Sequence, residues 1–252
     1  MNIISVTKEN IDKEHICCAI ADKKGECAVA SKKAWLTERF EEGLVFKKAD
    51  VRGKVFIEYI PGENAWSPVN AEGYIFINCL WVSGQYKGQG ISNLLLESCI
   101  QDAKNQGKKG LVILASKKKM PYLADPKYLK YKRFKVADEI EGGYQLYYLP
   151  FAEDGDKPSF KECVKNPTIS DEGLVIYYTN QCPFTEKYIG IIKDIANERN
   201  VTVYTKKIET KEEAQNSPSP WTTFSLFYNG QFVTHEILSD KKFIKFLEEK
   251  GL

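Results

Sequence analysis

Apolar residues recur along this chain with two different periods. Short runs rich in β-branched and aromatic residues read as strands at Ile3–Val6, Leu44–Lys47, Val55–Ile60, Tyr74–Val82, Leu111–Ala115, Phe134–Asp138 and Tyr144–Leu149. Between them, near Ile11–Ile20, Ser31–Glu41 and Ile91–Asn105, the apolar positions take up helical spacing. The alternation predicts an α/β domain over residues 1–150. Residues 151–173, FAEDGDKPSFKECVKNPTISDEG, are polar, broken by proline and glycine, and without sustained period, which predicts a connector. A second alternation fills residues 174–252: the strand LVIYYTN, a helix from about Phe184 to Arg199, the strand VTVYTKKI, a polar stretch, the run FSLFYNGQFVTHEIL, and a last helix in SDKKFIKFLEEKGL. Asn229-Gly230 marks a hairpin turn, because both residues accept positive φ.

Composition narrows the class without dividing the chain. The 43% hydrophobic content supplies packed cores, and the 28% charged content suits a solvated surface. The 36 basic and 34 acidic residues leave a net charge of +2, so no whole-chain field draws the protein onto nucleic acid or an anionic membrane. No apolar run reaches the length of about 20 residues that spans a bilayer, and the first residues lack a basic region followed by an apolar signal core. These features predict a cytoplasmic location. The seven cysteines, Cys17, Cys18, Cys27, Cys79, Cys99, Cys163 and Cys182, are odd in number and lack metal-ligand spacing, which argues against a disulfide framework and against a metal site.

Candidate chemistry concentrates where the strand GYIFINCLWVSG meets the helix that begins at Ile91. Glycines before a helix let several backbone N–H groups face one point, and the first unpaired helix amides add partial positive charge there, so this joint can cradle an anion. The segment Gln85-Tyr86-Lys87-Gly88-Gln89-Gly90-Ile91 resembles the Q/R-x-x-G-x-G/A signature of the GNAT N-acetyltransferases, at the joint where that family carries it. A dinucleotide fingerprint would need a third glycine where Asn93 stands, and a P-loop would need G-K-[ST].

The resemblance covers roughly Asn2–Leu149 and implies the GNAT fold, with a mixed, splayed central sheet and acetyl-coenzyme A as co-substrate. It implies that main-chain amides of Gln85, Tyr86, Lys87, Gly88, Gln89, Gly90 and Ile91 bind the pyrophosphate. It further implies that the pantetheine arm pairs with the strand near Leu80, Trp81 and Val82, and that Gly110–Ser116 is the strand across the splay, with Ser116 at its end. An acceptor amine, expected to be a small molecule, would attack there. The stretch Tyr128 to Phe134 is similar to the family's F-Y-x-x-x-G-F turn but departs from it twice. Leu129 stands where the family's proton-donating tyrosine sits, and Arg133 stands for the glycine. Tyr128 or Tyr131, three apart on one helical face, are the remaining candidates for general acid. Glu72, just before the strand, and Glu58, on the preceding one, are candidate bases acting through water, and Lys117-Lys118-Lys119 could meet the coenzyme's 3′-phosphate or an acidic substrate.

In the second half, Cys182 follows an apolar strand and starts a helix, where the helix amides favour a thiolate. The element order from Leu174 to Leu252 resembles the thioredoxin fold, with Thr185 at the place of a resolving cysteine and Thr222 at that of the cis proline. A GNAT domain followed by TNQCPFT and SLFYNG is similar to the YoaP-type acetyltransferases. The leading expectation is an acetyl-coenzyme-A-dependent N-acetyltransferase. A thiol-dependent oxidoreductase or substrate-capturing protein centred on Cys182, with coenzyme A as regulator, and a non-catalytic coenzyme A sensor are the alternatives.

Overall fold

The computed structural model describes residues 1–16, 19–23, 26–152 and 156–252. The first part runs β1 (Ile3–Val6), α1 (Ala28–Phe40), β2 (Val45–Ala49), β3 (Val55–Pro61), β4 (Val69–Asn70), β5 (Ile75–Val82), α2 (Ile91–Asn105), β6 (Gly110–Ser116), α3 (Pro126–Tyr131), β7 (Lys135–Ile140) and β8 (Tyr144–Pro150). It continues through β9 (Ser159–Phe160), β10 (Leu174–Tyr178), α4 (Pro183–Glu198), β11 (Val203–Lys207), α5 (Lys211–Gln215), β12 (Phe224–Tyr228), β13 (Gln231–Thr234) and α6 (Asp240–Lys250). None of the described helices is long and apolar enough to cross a membrane.

Seven strands form one mixed sheet in the order β1-β2-β3-β5-β6-β8-β7. Its pairs are antiparallel except β5 with β6, and that parallel pair requires the crossover that α2 supplies. β5 and β6 are in register only at Ile75 to Ile77 against Leu111 to Ile113. Beyond those three rungs the strands part, although β6 stays paired with β8 over its whole length. The sheet is therefore split at its centre while each lip of the split remains anchored.

Both faces of the sheet are covered, and for that reason VFIEYI in β3 reads as a continuous apolar run rather than an alternating one. On one face Ile57, Ile77 and Ile113 pack with Leu95 and Leu96 of α2 and Leu129 of α3. On the other, Phe56, Phe76 and Leu114 pack with Trp35 and Leu36 of α1. That second cluster runs on into Ile208 and Ala214, with Trp221 and Phe232 packed against it, so the two halves of the chain share apolar contact. Each fully buried leucine among these contributes on the order of 2 kcal/mol of transfer free energy.

A second sheet, ordered β11-β10-β12-β13, has its own cluster around Ile176, Ile192, Leu226 and Phe243. The expected hairpin forms, with positive φ at Asn229 and Gly230. The short pair β4–β9 ties the segment after β8 back to the first half. Polar bonds also cross between the halves: Thr222 Oγ1 donates to the Trp66 carbonyl at 2.6 Å, and Ser67 Oγ donates to the Pro220 carbonyl at 3.3 Å.

The expected helix at Ile11–Ile20 is not present among its described residues. Residues 8–14 form turns instead, and Ile11 and Ile16 are buried from an irregular segment, which accounts for their helix-like spacing. Cys17 and Cys18, within that stretch, lie outside the described residues.

Candidate active site

A bulge in β5 sets the geometry of the split. Glu58 of β3 is opposite Cys79 and Tyr59 is opposite Ile77, leaving Asn78 as an extra residue with no partner across the pair. Such an insertion re-aims side chains and bends the strand. Here it brings Asn78 and Cys79 in succession towards the face that carries α1, since Glu58 and α1 hold Asn78 there while Cys79 packs with the α1-side cluster.

Asn78 is held from beneath. Its Nδ2 donates to Glu58 Oε1 at 2.9 Å, and Lys32 Nζ of α1 donates to Glu58 Oε2 at 2.6 Å. Lys32 and Glu58 are each 1% exposed, and the Lys32 ammonium also lies 4.3 Å from the centre of the Trp35 ring. A buried charge pair survives only when its remaining lone pairs and protons are engaged, and these partners engage them. A carboxylate has only acceptors to offer, so the Asn78 amide must turn its NH2 towards Glu58.

The glycine joint follows directly. Gly84, Gly88 and Gly90 have φ of 61°, 77° and 76°, in the left-handed region that side chains disfavour. A Cβ added at any of the three would meet nothing within 4 Å, so the loop opens onto free space. Gly90 is the N-cap of α2 and brings no side chain to it, and the first turn of α2 has no acidic residue. The positive end of a 15-residue helix is thus turned to that space uncompensated by side chains.

Together the split and the glycine joint line one cleft of about 400 Å³. Leu80, Trp81, Val82, Tyr86, Lys87, Gly88, Gly90 and Ile91 all line it. Trp81 is 44% exposed, on the lip of the split rather than in the core. Gln85 and Gln89 are not lining residues; Gln89 Nε2 donates to the Gln85 carbonyl at 2.6 Å and braces the loop from outside. Ser116 also stays out of the cleft, fully buried with its hydroxyl donating to the Lys118 carbonyl at 2.6 Å. Of the lysine triplet, Lys119 reaches the cleft and pairs with Asp125 at 3.3 Å.

The acid and base candidates separate cleanly. Tyr128 lines the cleft beside Leu129, its hydroxyl donating to the Ser92 carbonyl at 3.4 Å, and burial pushes its pKa above the usual tyrosine value. Tyr131, the last residue of α3, is 76% exposed and does not line the cleft, although it shares a helical face with Tyr128. Arg133 adopts a φ of 64°, the left-handed conformation for which glycine is best suited. Glu72 is exposed at the opposite end of β5, in a separate recess with Tyr74 and Lys109, so the structure does not bring it to the cleft. Glu58 is near the cleft but committed to Lys32 and Asn78.

Cys182 is at the N-cap of α4, packed against the second half's own cluster, and does not line the cleft. Thr185, three residues on, is buried with its hydroxyl donating to the Thr223 carbonyl at 3.3 Å. Sequence reasoning missed three features of the cleft: the bulge at Asn78, the buried lysine that answers Glu58, and Trp221, which enters the cleft from the second half. A lysine in the apolar stripe of α1, beside a glutamate inside an apolar strand, was the available signal for the second.

Comparison with known proteins bears on both halves. The profile described as the acetyltransferase (GNAT) family matches residues 10–120, and one described as YoaP-like matches residues 205–245. The chain is 47% identical over 247 residues to a Bacillus subtilis (strain 168) protein described as the uncharacterized N-acetyltransferase YoaP, covering 98% of each. Among solved structures, a GNAT family acetyltransferase from Brucella melitensis in complex with acetyl-CoA aligns with 62% of this chain and 91% of its own, at 15% identity and a TM-score of 0.38. The PaiA N-acetyltransferase from Thermoplasma acidophilum in complex with coenzyme A aligns with 60% of this chain and 100% of its own, at 15% identity and a TM-score of 0.39.

Proposed function

Because the chain belongs to the GNAT N-acetyltransferases, in the form that carries a YoaP-like segment, we propose that its cleft binds acetyl-coenzyme A and passes the acetyl group directly to a primary amine. The observation that carries this reading is the split between β5 and β6 opening beside the uncapped N-terminus of α2. Amides from Gly88 to the first turn of α2 hold the pyrophosphate, and Gly88 and Gly90 bring no side chain into the open space before them. The pantetheine arm runs into the split and pairs with the free backbone edge of Leu80 to Val82, as an added strand would.

In the reaction the amine nitrogen forms a bond to the acetyl carbonyl carbon and the carbon–sulfur bond breaks. The nitrogen loses a proton and the coenzyme leaves as the thiol, so an acetamide and free coenzyme A are the products. A backbone N–H on the lip of β5 receives the oxyanion. Tyr128, which lines the cleft, gives its proton to the departing sulfur, a tyrosine hydroxyl being protonated at neutral pH. Domain boundaries follow the same reading: residues 1–150 form the acetyltransferase domain, residues 151–173 the connector, and residues 174–252 a thioredoxin-like domain that walls one side of the cleft through Trp221.

Isothermal titration of the full chain with acetyl-coenzyme A tests the proposal. Saturable binding in the micromolar range is expected, and absence of heat at millimolar ligand overturns it.

A further inference from the structure

The cleft has a second end, and its chemistry is specific enough to name a class of acceptor. Asn78 lines the cleft where β5 and β6 part, which is where a thioester lying in the split presents its carbonyl. With the Asn78 NH2 committed to Glu58, its Oδ1 is the atom left to face the opening. An amide oxygen there accepts a hydrogen bond from an amine N–H without adding charge, and so orients the nitrogen lone pair towards the carbonyl carbon.

The surroundings limit what that amine is attached to. Cys79, Leu114 and Leu123 form an apolar floor, and the second half closes it with Trp221. The Trp221 backbone is held in place, its N–H donating to Ser219 Oγ at 3.3 Å and its carbonyl accepting from Ser225 Oγ at 2.7 Å, and the His235 ring packs edge-on against the indole with centroids 6.5 Å apart. Among the described lining residues the one carboxylate is Asp125, which is taken by Lys119 and by the Lys127 N–H. A polyamine or a polycationic sugar would find no counter-ion for its further charges, whereas a flat apolar group would find the face of Trp221.

We propose that Asn78 and Trp221 form the acceptor subsite, that Lys32 and Glu58 are positioning residues for Asn78, and that the acceptor is a primary amine on an apolar, ring-sized body. This rests on the acetyl-transfer reading above. In the subsite the bulge supplies direction, the buried ion pair supplies rigidity, and the second half supplies selectivity.

The test uses the full chain with acetyl-coenzyme A and two probes, 2-phenylethylamine and ethylamine, with acetylated product measured by mass spectrometry. Acetylation of 2-phenylethylamine with a lower KM than ethylamine is expected. Asn78→Ala should raise KM for both amines by about tenfold, the loss of one oriented hydrogen bond, while the dissociation constant of acetyl-coenzyme A stays unchanged. Trp221→Ala should raise KM for 2-phenylethylamine alone. Glu58→Gln, which keeps volume but frees the Asn78 amide to turn, should raise KM for both amines without altering coenzyme binding. Circular dichroism melting curves identify any variant that is unfolded, and the remaining variants then decide the matter. Equal KM values for the two amines, no turnover of 2-phenylethylamine by a chain that binds acetyl-coenzyme A, or an unchanged KM in Asn78→Ala each overturns the subsite. Failure to bind acetyl-coenzyme A would instead overturn the acetyl-transfer reading beneath it.

Discussion

Lys32 and Glu58 show how closely stability and chemistry are joined at single residues in this molecule. Both charges are out of water and 2.6 Å apart, so deleting one leaves the other buried and uncompensated. That loss is on the order of 3–5 kcal/mol, whereas replacing both by apolar groups is often close to neutral. Lys32→Met should therefore lower Tm sharply, and the double change Lys32→Met with Glu58→Leu should recover much of it, by thermal melts followed by circular dichroism. A recovered fold with poor amine KM would separate the pair's role in positioning Asn78 from its role in folding. The two tyrosines of α3 offer a cleaner contrast. Tyr128→Phe removes the hydroxyl that lines the cleft and should lower kcat by about a hundredfold, the lower end for loss of a general acid, with acetyl-coenzyme A affinity unchanged. Tyr131→Phe, on an exposed side chain, should leave kcat as it is. Equal effects in the two variants would remove Tyr128 from the mechanism.

At the level of elements, the glycine joint is where local sequence and site coincide. Gly90 has a φ of 76°, and its missing Cβ keeps the end of α2 open. Alanine there adds roughly 1–2 kcal/mol of backbone strain and places a methyl group in the phosphate path. Gly90→Ala should weaken acetyl-coenzyme A binding at least tenfold by titration, while Gly107→Ala, which also has positive φ but is beyond the end of α2, should alter stability without altering affinity. These elements were readable because they are local: the strand period, the helix period, and a turn with two glycines all act within a few residues. What escaped was set by partners distant in sequence. The bulge exists only in the register of β3 against β5, the irregular segment after β1 buries Ile11 and Ile16 under tertiary contacts, and α5 depends on a capping box between Thr210 and Glu213 inside a stretch that looks merely polar. Tyr131 and Glu72 failed for a related reason. Helical spacing and sequence proximity to the strand placed them near the cleft, but neither reports which end of an element faces it.

Across the whole molecule, the two halves meet at a polar clamp that carries its own titration. His235 of the second half is buried, with Nε2 2.9 Å from the Pro121 carbonyl and Nδ1 2.6 Å from the Tyr144 hydroxyl. A carbonyl can only accept, so Nε2 carries the proton and Nδ1 accepts from Tyr144, which is the neutral imidazole. Burial lowers the pKa of His235 below its ordinary value of 6.5, outweighing the opposing effects of the Pro121 carbonyl and Glu236. The unfolded chain then binds a proton that the folded chain resists, so stability is full above the unfolded value and falls as pH drops through the depressed one. The same ring packs against Trp221 and, through Pro121, holds the loop that carries Tyr122 and Leu123 into the cleft. Protonation should therefore loosen the acceptor wall before it disturbs the coenzyme end. Between about pH 7.5 and about pH 5.5, Tm of the native chain should fall more steeply than Tm of His235→Gln, whose side chain does not titrate. Over the same range, KM for an acceptor amine, corrected for the amine's own ionisation, should rise in the native chain more than in His235→Gln. Affinity for acetyl-coenzyme A should change little in either. Parallel slopes of Tm in the two proteins would show that the clamp bears no part of the acid sensitivity.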